Sequence, residues 1–177
     1  NEGLVSEVFD KAEMERLSGS YNAIGHTRYS TKGSATHANV QPIVKEYLTG
    51  RIAACLNGNI TNIDSLQEKL AALGIGFAST SHCDVIASLI AYHNVTLNCT
   101  EKAVVAAASE LEGAFCLVVL GCDGKVIAVR DPNGYRPLCI GKSDKGIIFA
   151  SETSALDTCG FDLLRDVKPG EVVVAEN

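Results

Sequence analysis

The sequence predicts an α+β fold with antiparallel sheets, and two observations lead to this prediction. Strand-like segments stand on both sides of a run of helical segments, and the strands of the C-terminal half follow one another through tight turns. Strands joined by hairpins pair antiparallel, whereas a doubly wound parallel sheet needs alternating strands and helices. With 177 residues, 46% of them hydrophobic, and no repeat or linker, residues 1–177 are predicted to form one domain.

Four helices are predicted from capping residues and apolar periodicity. Thr61 and Asp64 have capping-box spacing, Ser81 is a typical N-cap, and Gly113 is a typical stop after a helix. The helix that begins at Ser81 carries apolar residues at the spacing of one helical face. The predicted helices cover residues 6–17, residues 61–74, a segment from Ser81 onward, and residues 100–112.

Strands are predicted where short apolar segments alternate with turn residues. Residues 121–124 are rich in glycine and separate two such segments, which predicts a hairpin. Two earlier segments each end in a polar motif, so those motifs are expected at strand ends. The predicted strands cover residues 22–26, 51–56, 114–120, 125–130, 138–141, 147–151 and 171–175.

Composition excludes several classes of protein. A net charge of −6, with scattered lysines and arginines, argues against a nucleic-acid partner. No apolar segment is long enough to span a membrane, so a soluble chain without a membrane partner is expected. Seven cysteines without a C-x-x-C pair predict neither a zinc site nor a disulfide framework, and they fit a cytoplasmic location.

Two motifs contain the candidate site residues. Arg28 lies among hydroxyl side chains, and its planar guanidinium could bind a carboxylate or form an ordinary surface ion pair. Asn57 and Gly58 could form an oxyanion hole from a side-chain amide and a backbone N–H. The same Asn-Gly pair is also the strongest local signal for a type I′ hairpin turn, so the residues alone leave both interpretations open.

Separate motifs along almost the whole chain resemble those of one enzyme family. These motifs are Gly25-His26-Thr27-Arg28-Tyr29-Ser30-Thr31, Gln41-Pro42, Asn57-Gly58-Asn59, Arg130-Asp131-Pro132-Asn133-Gly134-Tyr135-Arg136-Pro137-Leu138, Ser151-Glu152 and Pro169-Gly170-Glu171. Together they resemble the glutaminase domain of the glutamine phosphoribosylpyrophosphate amidotransferases, which are class II glutamine amidotransferases. Asparagine synthetases and glucosamine-6-phosphate synthases share the Arg and Asn-Gly elements but look less like residues 130–138.

The resemblance implies a fold, a reaction and residue roles. The fold is an N-terminal nucleophile hydrolase sandwich, with two antiparallel sheets between helical layers. A first-residue cysteine attacks the side-chain amide of L-glutamine, and the released ammonia converts phosphoribosylpyrophosphate to phosphoribosylamine in purine nucleotide biosynthesis. By the resemblance, Arg28 binds the glutamine α-carboxylate, while the Asn57 side chain and the Gly58 N–H stabilise the oxyanion.

Three departures from the family pattern concern the site. The chain starts at Asn1, so the nucleophilic cysteine is expected in an N-terminal segment that it lacks, and the chain alone is expected to be inactive. His82 occupies the position of a family aspartate that pairs with the glutamine ammonium, and Leu56 stands where relatives commonly have histidine. Cys83 lies at a helix N-terminus, where the dipole can lower a thiol pKa, but it is not expected to replace the nucleophile because it lacks the paired α-amine.

The implied partners are L-glutamine, a phosphoribosyltransferase domain outside this chain, and further copies of the protein in a homo-oligomer. No cofactor or metal is expected in this chain. Mg²⁺ with phosphoribosylpyrophosphate is implied for the parent enzyme, and an iron–sulfur cluster in the parent is left open. The alternative function is a degenerate, non-catalytic binding or regulatory module on the same scaffold.

Residues 130–138 are expected to form a structural turn. Without its N-terminal segment, the chain is expected to expose an unpaired sheet edge and to dimerise.

Overall fold

The computed structural model describes residues 4–28 and 37–176, and within them the chain forms helices and two antiparallel sheets. The helices are α1 (Val5–Val8), α2 (Lys11–Leu17), α3 (Ile63–Ala72), α4 (His82–Leu97), α5 (Thr100–Ser109) and α6 (Thr153–Cys159), with a short 3₁₀ turn at His37–Asn39. The strands are β1 (Ile43–Tyr47), β2 (Gly50–Ile60), β3 (Gly113–Gly121), β4 (Val126–Arg130), β5 (Cys139–Ser143), β6 (Gly146–Ala150), β7 (Asp162–Asp166) and β8 (Val172–Ala175).

The strands form a five-stranded and a three-stranded sheet, and every strand pair is antiparallel. The first sheet has the order β1-β2-β3-β4-β8, and the second has the order β6-β5-β7. Helices α3, α4 and α5 cover one face of the first sheet, and α6 packs on strands β6 and β7 of the second. This arrangement confirms the predicted α+β class with antiparallel sheets.

Two clusters of buried apolar residues lie between the layers of helices and sheets. The larger lies between the first sheet and helices α3 to α5, and it receives Ile52, Leu56 and Ile60 from β2. The smaller joins the other face of that sheet to the second sheet, through residues such as Cys116 and Ile140. Because side chains alternate along a strand, the odd-numbered residues of β2 point away from the helices. Asn57 is one of them.

Helix α4 lies in the middle of the helical layer. Its residues from Cys83 to Ala91 are all buried, so the apolar face predicted from periodicity extends around most of the helix. The Ser81 side chain accepts a hydrogen bond from the Cys83 N–H, which confirms Ser81 as N-cap. Asp84 does not complete a capping box with it. Instead Asp84 accepts hydrogen bonds from the Ala78 and Ser79 N–H groups and pairs with Lys45.

The Lys45–Asp84 ion pair joins β1 to the start of α4. The two charged groups are 2.7 Å apart, with side-chain exposures of 18% and 1%. Removing one partner of a buried pair leaves an uncompensated charge, which is strongly destabilising. Since Lys45 keeps some contact with water, we expect Lys45→Met to lower the free energy of unfolding by about 2–4 kcal/mol in urea titrations.

Lys69→Met is the matched control for this prediction. Lys69 pairs with Glu110, but its side chain is 42% exposed, so the loss should stay below about 1 kcal/mol. Equal losses for the two lysine variants would show that the buried pair contributes no more than a surface pair.

Several predicted elements differ from the structure for local reasons. The helix predicted over residues 6–17 is two helices, because the Asp10 side chain accepts from the Glu13 N–H and starts α2 there. The capping box at Thr61 is absent, since the Asn62 side chain bonds instead to the Glu110 carbonyl and the Glu112 N–H. The helix predicted over residues 100–112 ends at Ser109, and Gly113 begins a strand.

The strand predicted over residues 22–26 is wrong, and three elements were not predicted. Residues 22–28 have no regular secondary structure and belong to neither sheet, although the Asn22 side chain donates a hydrogen bond to the Gly124 carbonyl. The unpredicted elements are β1, β7 and α6. In contrast, the hairpin of β3 and β4 lies where the sequence predicts it.

Candidate active site

Asn57 and Gly58 lie inside strand β2 and not in a hairpin turn. Asn57 is paired with Cys116 of β3, and Gly58 with Phe115. Gly58 has a φ angle of +147°, and a Cβ atom there would lie 2.7 Å from the Phe115 Cα and would overlap the Ala114 carbonyl oxygen. Only glycine fits this position, because its backbone must approach the neighbouring strand closely.

The Asn57 side chain is available for a ligand. Leu56 points into the helical core, so Asn57 points to the opposite face of the sheet. Its side chain is half-buried, and no hydrogen bond joins its amide to another described residue. A half-buried amide whose N–H donors bond to no described residue, followed by a glycine backbone, has the components of an oxyanion hole.

Gln41 holds the peptide immediately before Asn57. Its side-chain oxygen accepts a hydrogen bond from the Leu56 N–H at 2.6 Å, and its amide nitrogen donates to the Leu56 carbonyl at 3.4 Å. Leu56 itself is 6% exposed and packs in the helical core. The Leu56 side chain therefore packs in the core, while its backbone is held by the Gln41 side chain.

His82, the first residue of α4, contacts the last residue of β2, two positions after Gly58. Its Nδ1 accepts a hydrogen bond from the Ile60 N–H at 3.3 Å, so this nitrogen carries no proton. Burial lowers the pKa of His82 from its ordinary value of 6.5, and this effect exceeds the opposite effect of nearby Asp64. A neutral imidazole offers no negative charge for an ammonium group.

The protonation of His82 gives a testable pH dependence. An unfolded chain binds a proton at this residue near pH 6.5, whereas the folded chain binds it only at lower pH. Stability should therefore fall as the pH is lowered from 6.5 through the folded pKa. NMR titration of His82 should give a midpoint below 6.5, and His82→Gln, which keeps an acceptor for Ile60, should flatten the stability profile. A midpoint at or above 6.5 would contradict this assignment.

Arg28 ends the first described segment, and its side chain is exposed. No hydrogen bond or ion pair joins it to another described residue, so the ordinary surface ion pair does not form within that part of the chain. Burial and the charge of Arg28 lower the pKa of His26. The remaining motif residues 29–31 lie outside the described residues, and no described contact joins Arg28 to Asn57.

Two cysteines near the site are packing groups. Cys83 is fully buried, and its thiol donates a hydrogen bond to the Ala54 carbonyl at 3.2 Å. Burial raises the pKa of Cys83, which agrees with the expectation that this thiol is not the nucleophile. Cys116 lies across from Asn57 on the same face of the sheet, and burial raises its pKa to about 11.

Residues 130–138 form an ordered turn, as the sequence predicts. The Arg130 guanidinium donates hydrogen bonds to the carbonyls of Gly134, Arg136 and Val167. The fully buried Asp131 carboxylate accepts from the N–H groups of Phe115, Asn133 and Tyr135. These bonds attach the turn to β3 opposite Gly58.

A cleft of about 470 Å³ opens beside this turn. It is lined by residues 137–139, residues 151–154 and Asp166. The Pro137 carbonyl that borders it lies 3.5 Å from the thiol of Cys116, the partner of Asn57 across the ladder. The cleft therefore lies near Cys116, while Asn57 is not one of its lining residues. Its volume is in the range of small-molecule sites. No local sequence signal predicts this cleft.

Within residues 4–28 and 37–176, no group of three or more His, Cys, Asp or Glu residues could hold a metal ion. In the same residues, no helix is both long enough and apolar enough to cross a membrane.

The chain is similar to known glutamine amidotransferases. Residues 26–158 match the profile of the glutamine amidotransferase domain. The chain is 46% identical to the chloroplastic amidophosphoribosyltransferase of Vigna aconitifolia over 178 aligned positions, which cover 99% of this chain and 35% of that protein. It is 38% identical to the amidophosphoribosyltransferase of Methanocaldococcus jannaschii, covering 98% of this chain and 36% of the relative.

Solved structures give the same fold. The glutamine phosphoribosylpyrophosphate amidotransferase from B. subtilis, complexed with ADP and GMP, superposes with a TM-score of 0.76 at 33% identity, over 84% of this chain and 31% of that chain. A structure described as the allosteric regulatory enzyme of purine biosynthesis superposes with a TM-score of 0.84 at 32% identity. The superposition covers 97% of this chain and 36% of that chain. The likeness confirms the predicted N-terminal nucleophile hydrolase fold. The chain spans about a third of the length of these relatives.

Proposed function

The chain belongs to the glutamine amidotransferase domain family, and from this premise we propose that it is the glutamine-hydrolysing domain of an amidophosphoribosyltransferase. Its substrate is L-glutamine. The ammonia it releases converts phosphoribosylpyrophosphate to phosphoribosylamine on a phosphoribosyltransferase domain, with Mg²⁺ bound to the pyrophosphate there. This reaction belongs to purine nucleotide biosynthesis.

The observation that best supports the proposal is the placement of Asn57 and Gly58. A cysteine thiolate attacks the amide carbon of glutamine, and the carbonyl electrons move to the oxygen. The Asn57 amide and the Gly58 N–H donate hydrogen bonds to this oxyanion. Collapse of the tetrahedral intermediate breaks the C–N bond. The nitrogen takes the proton that the thiol gave up to the cysteine α-amine and leaves as ammonia. Water then hydrolyses the thioester to glutamate.

The thiol in this scheme comes from an N-terminal cysteine outside the present chain, whose α-amine relays the proton. Cys83 and Cys116, the cysteines placed beside the site, are buried with raised pKa values. Arg28, exposed and without an ion-pair partner among the described residues, binds the α-carboxylate of glutamine through its two parallel N–H donors. No residue in this proposal requires a metal in the glutaminase site.

A second candidate function is a non-catalytic binding or regulatory module, and His82 is the observation that favours it. The resemblance places an ammonium-binding carboxylate at this position, whereas His82 is a neutral hydrogen-bond acceptor toward Ile60. A module that had lost glutamine hydrolysis would no longer need that negative charge.

Assay of the longer protein that contains this chain separates the two functions. We expect it to release glutamate from glutamine and to form phosphoribosylamine when Mg²⁺ and phosphoribosylpyrophosphate are added, while the 177-residue chain alone releases none. Intact protein that binds glutamine without releasing glutamate would support the module and contradict the enzyme. A cytoplasmic location and a homo-oligomeric parent stay predictions, and two relatives from Arabidopsis thaliana are named as chloroplastic.

A further inference from the structure

At one edge of the first sheet, a glutamine side chain takes the place of a strand backbone. The β1–β2 ladder pairs Ile43 with Ala54 and stops there. Extension of the same register by two residues places Gln41 opposite Leu56. At that position the Gln41 side-chain amide makes both hydrogen bonds to the Leu56 backbone that a strand residue would make. The side chain therefore extends the ladder to the residue that precedes Asn57.

The Gln41 amide is itself held in place. Asn39 is 3% exposed, and its side-chain nitrogen donates a hydrogen bond to the Thr80 hydroxyl at 3.3 Å. Thr80 lies two residues before His82, at the entrance to α4. The segment from Asn39 to Gln41 is thus attached both to the loop before α4 and to strand β2, which limits its freedom to move away from Leu56.

We propose that Gln41 is a positioning residue that fixes the Asn57 amide and the Gly58 N–H for oxyanion binding. The proposal rests on the glutaminase function. On the β3 side, Asn57 and Gly58 are paired with Cys116 and Phe115. On the other side, the β1–β2 ladder ends at Ile43, and the two hydrogen bonds between the Gln41 side-chain amide and the Leu56 backbone, here called the Gln41 clamp, hold the residue that precedes Asn57. Oxyanion donors act through accurate placement, so a small displacement lowers the rate of the chemical step more than it lowers substrate binding.

The test compares Gln41→Met with Gln67→Met in the full-length protein. Methionine has nearly the length of glutamine but lacks its amide, and Gln67 is a half-buried residue of α3 without a hydrogen bond to any described residue. Gln41→Met should lower kcat for glutamine hydrolysis about 10- to 100-fold and change KM less than about threefold. Gln67→Met should leave both unchanged.

Two further measurements distinguish positioning from general stability. Amide hydrogen exchange at Leu56 should become faster in Gln41→Met but not in Gln67→Met. An aldehyde analogue of glutamine that forms a tetrahedral adduct should lose affinity in parallel with kcat, while glutamate affinity stays constant. Gln41→Asn, whose amide is too short to reach Leu56, gives the same test if Gln41→Met does not fold.

Failure of the Gln41 positioning role can be distinguished from failure of the proposed glutaminase function. If the wild-type protein hydrolyses glutamine but the Gln41 variants keep kcat within about twofold of Gln67→Met, the positioning role is overturned and the function stands. A parallel loss of melting temperature and active fraction, with unchanged kcat per active site, also overturns it. If the wild-type protein hydrolyses no glutamine, both proposals fail.

Discussion

Replacement of Asn57 by alanine should lower kcat for glutamine hydrolysis in the full-length protein by about 10²- to 10³-fold, since loss of one oxyanion donor has an effect of this size. The expected cause is electrostatic. Within residues 4–28 and 37–176 the Asn57 amide makes no hydrogen bond, and we expect its N–H donors to meet the charge that develops on the substrate oxygen. KM should change little, because the ground-state carbonyl carries much less charge than the oxyanion.

The control is Gln67→Ala, which removes another half-buried amide without hydrogen bonds to described residues, on helix α3. Its kcat should match the wild type. A kcat for Asn57→Ala within about threefold of the control would contradict the oxyanion role of Asn57, even if the protein is a glutaminase. A rise in KM with constant kcat would assign Asn57 to ground-state binding.

Gly58→Ala should destabilise the fold by about 3–5 kcal/mol, the range for a severe steric and backbone effect. The added Cβ would lie 2.7 Å from the Phe115 Cα and would overlap the Ala114 carbonyl oxygen, and both are backbone atoms. They cannot move without opening the β2–β3 ladder. Loss of the ladder also displaces the Gly58 N–H, so activity should fall together with stability. Urea unfolding and a glutaminase assay measure the two effects.

Gly146→Ala is the matched control for this substitution. Gly146 has a φ angle of +133°, close to that of Gly58, but a Cβ there would meet no atom within 4 Å. It should therefore show only the cost of the unusual backbone conformation, about 1–2 kcal/mol. If the two glycine variants are destabilised equally, the close approach of β2 to β3 at Gly58 does not constrain the fold.

The sequence predicts the fold class well because hairpin and helix signals are local. The β3–β4 hairpin and the N-cap at Ser81 follow from residues that lie next to one another in the chain. Strand β7 was missed because most of its residues, including two leucines, are exposed, so it lacks the alternation of a half-buried strand. Strand β1 alternates in burial, but its sequence Ile-Val-Lys-Glu-Tyr does not alternate in polarity and follows a proline, so its assignment depends on pairing with β2.

The candidate site shows where local signals are insufficient. Locally, Asn57 and Gly58 favour a turn, and only their pairing with Cys116 and Phe115 places them inside a strand. Family resemblance implies an oxyanion role for them, which pattern alone leaves open. The Gln41 clamp on Leu56 and the neutral state of His82 depend on contacts between residues distant in the sequence. No periodicity or spacing could have predicted these contacts.

The most direct test of the proposed oxyanion hole is a crystal structure of the full-length protein with an aldehyde analogue of glutamine bound as a tetrahedral adduct. The account predicts an oxyanion within about 2.7–3.1 Å of both the Asn57 side-chain nitrogen and the Gly58 backbone nitrogen. An adduct whose oxygen is stabilised by other donors, with the Asn57 amide and the Gly58 N–H beyond hydrogen-bonding distance, would contradict it.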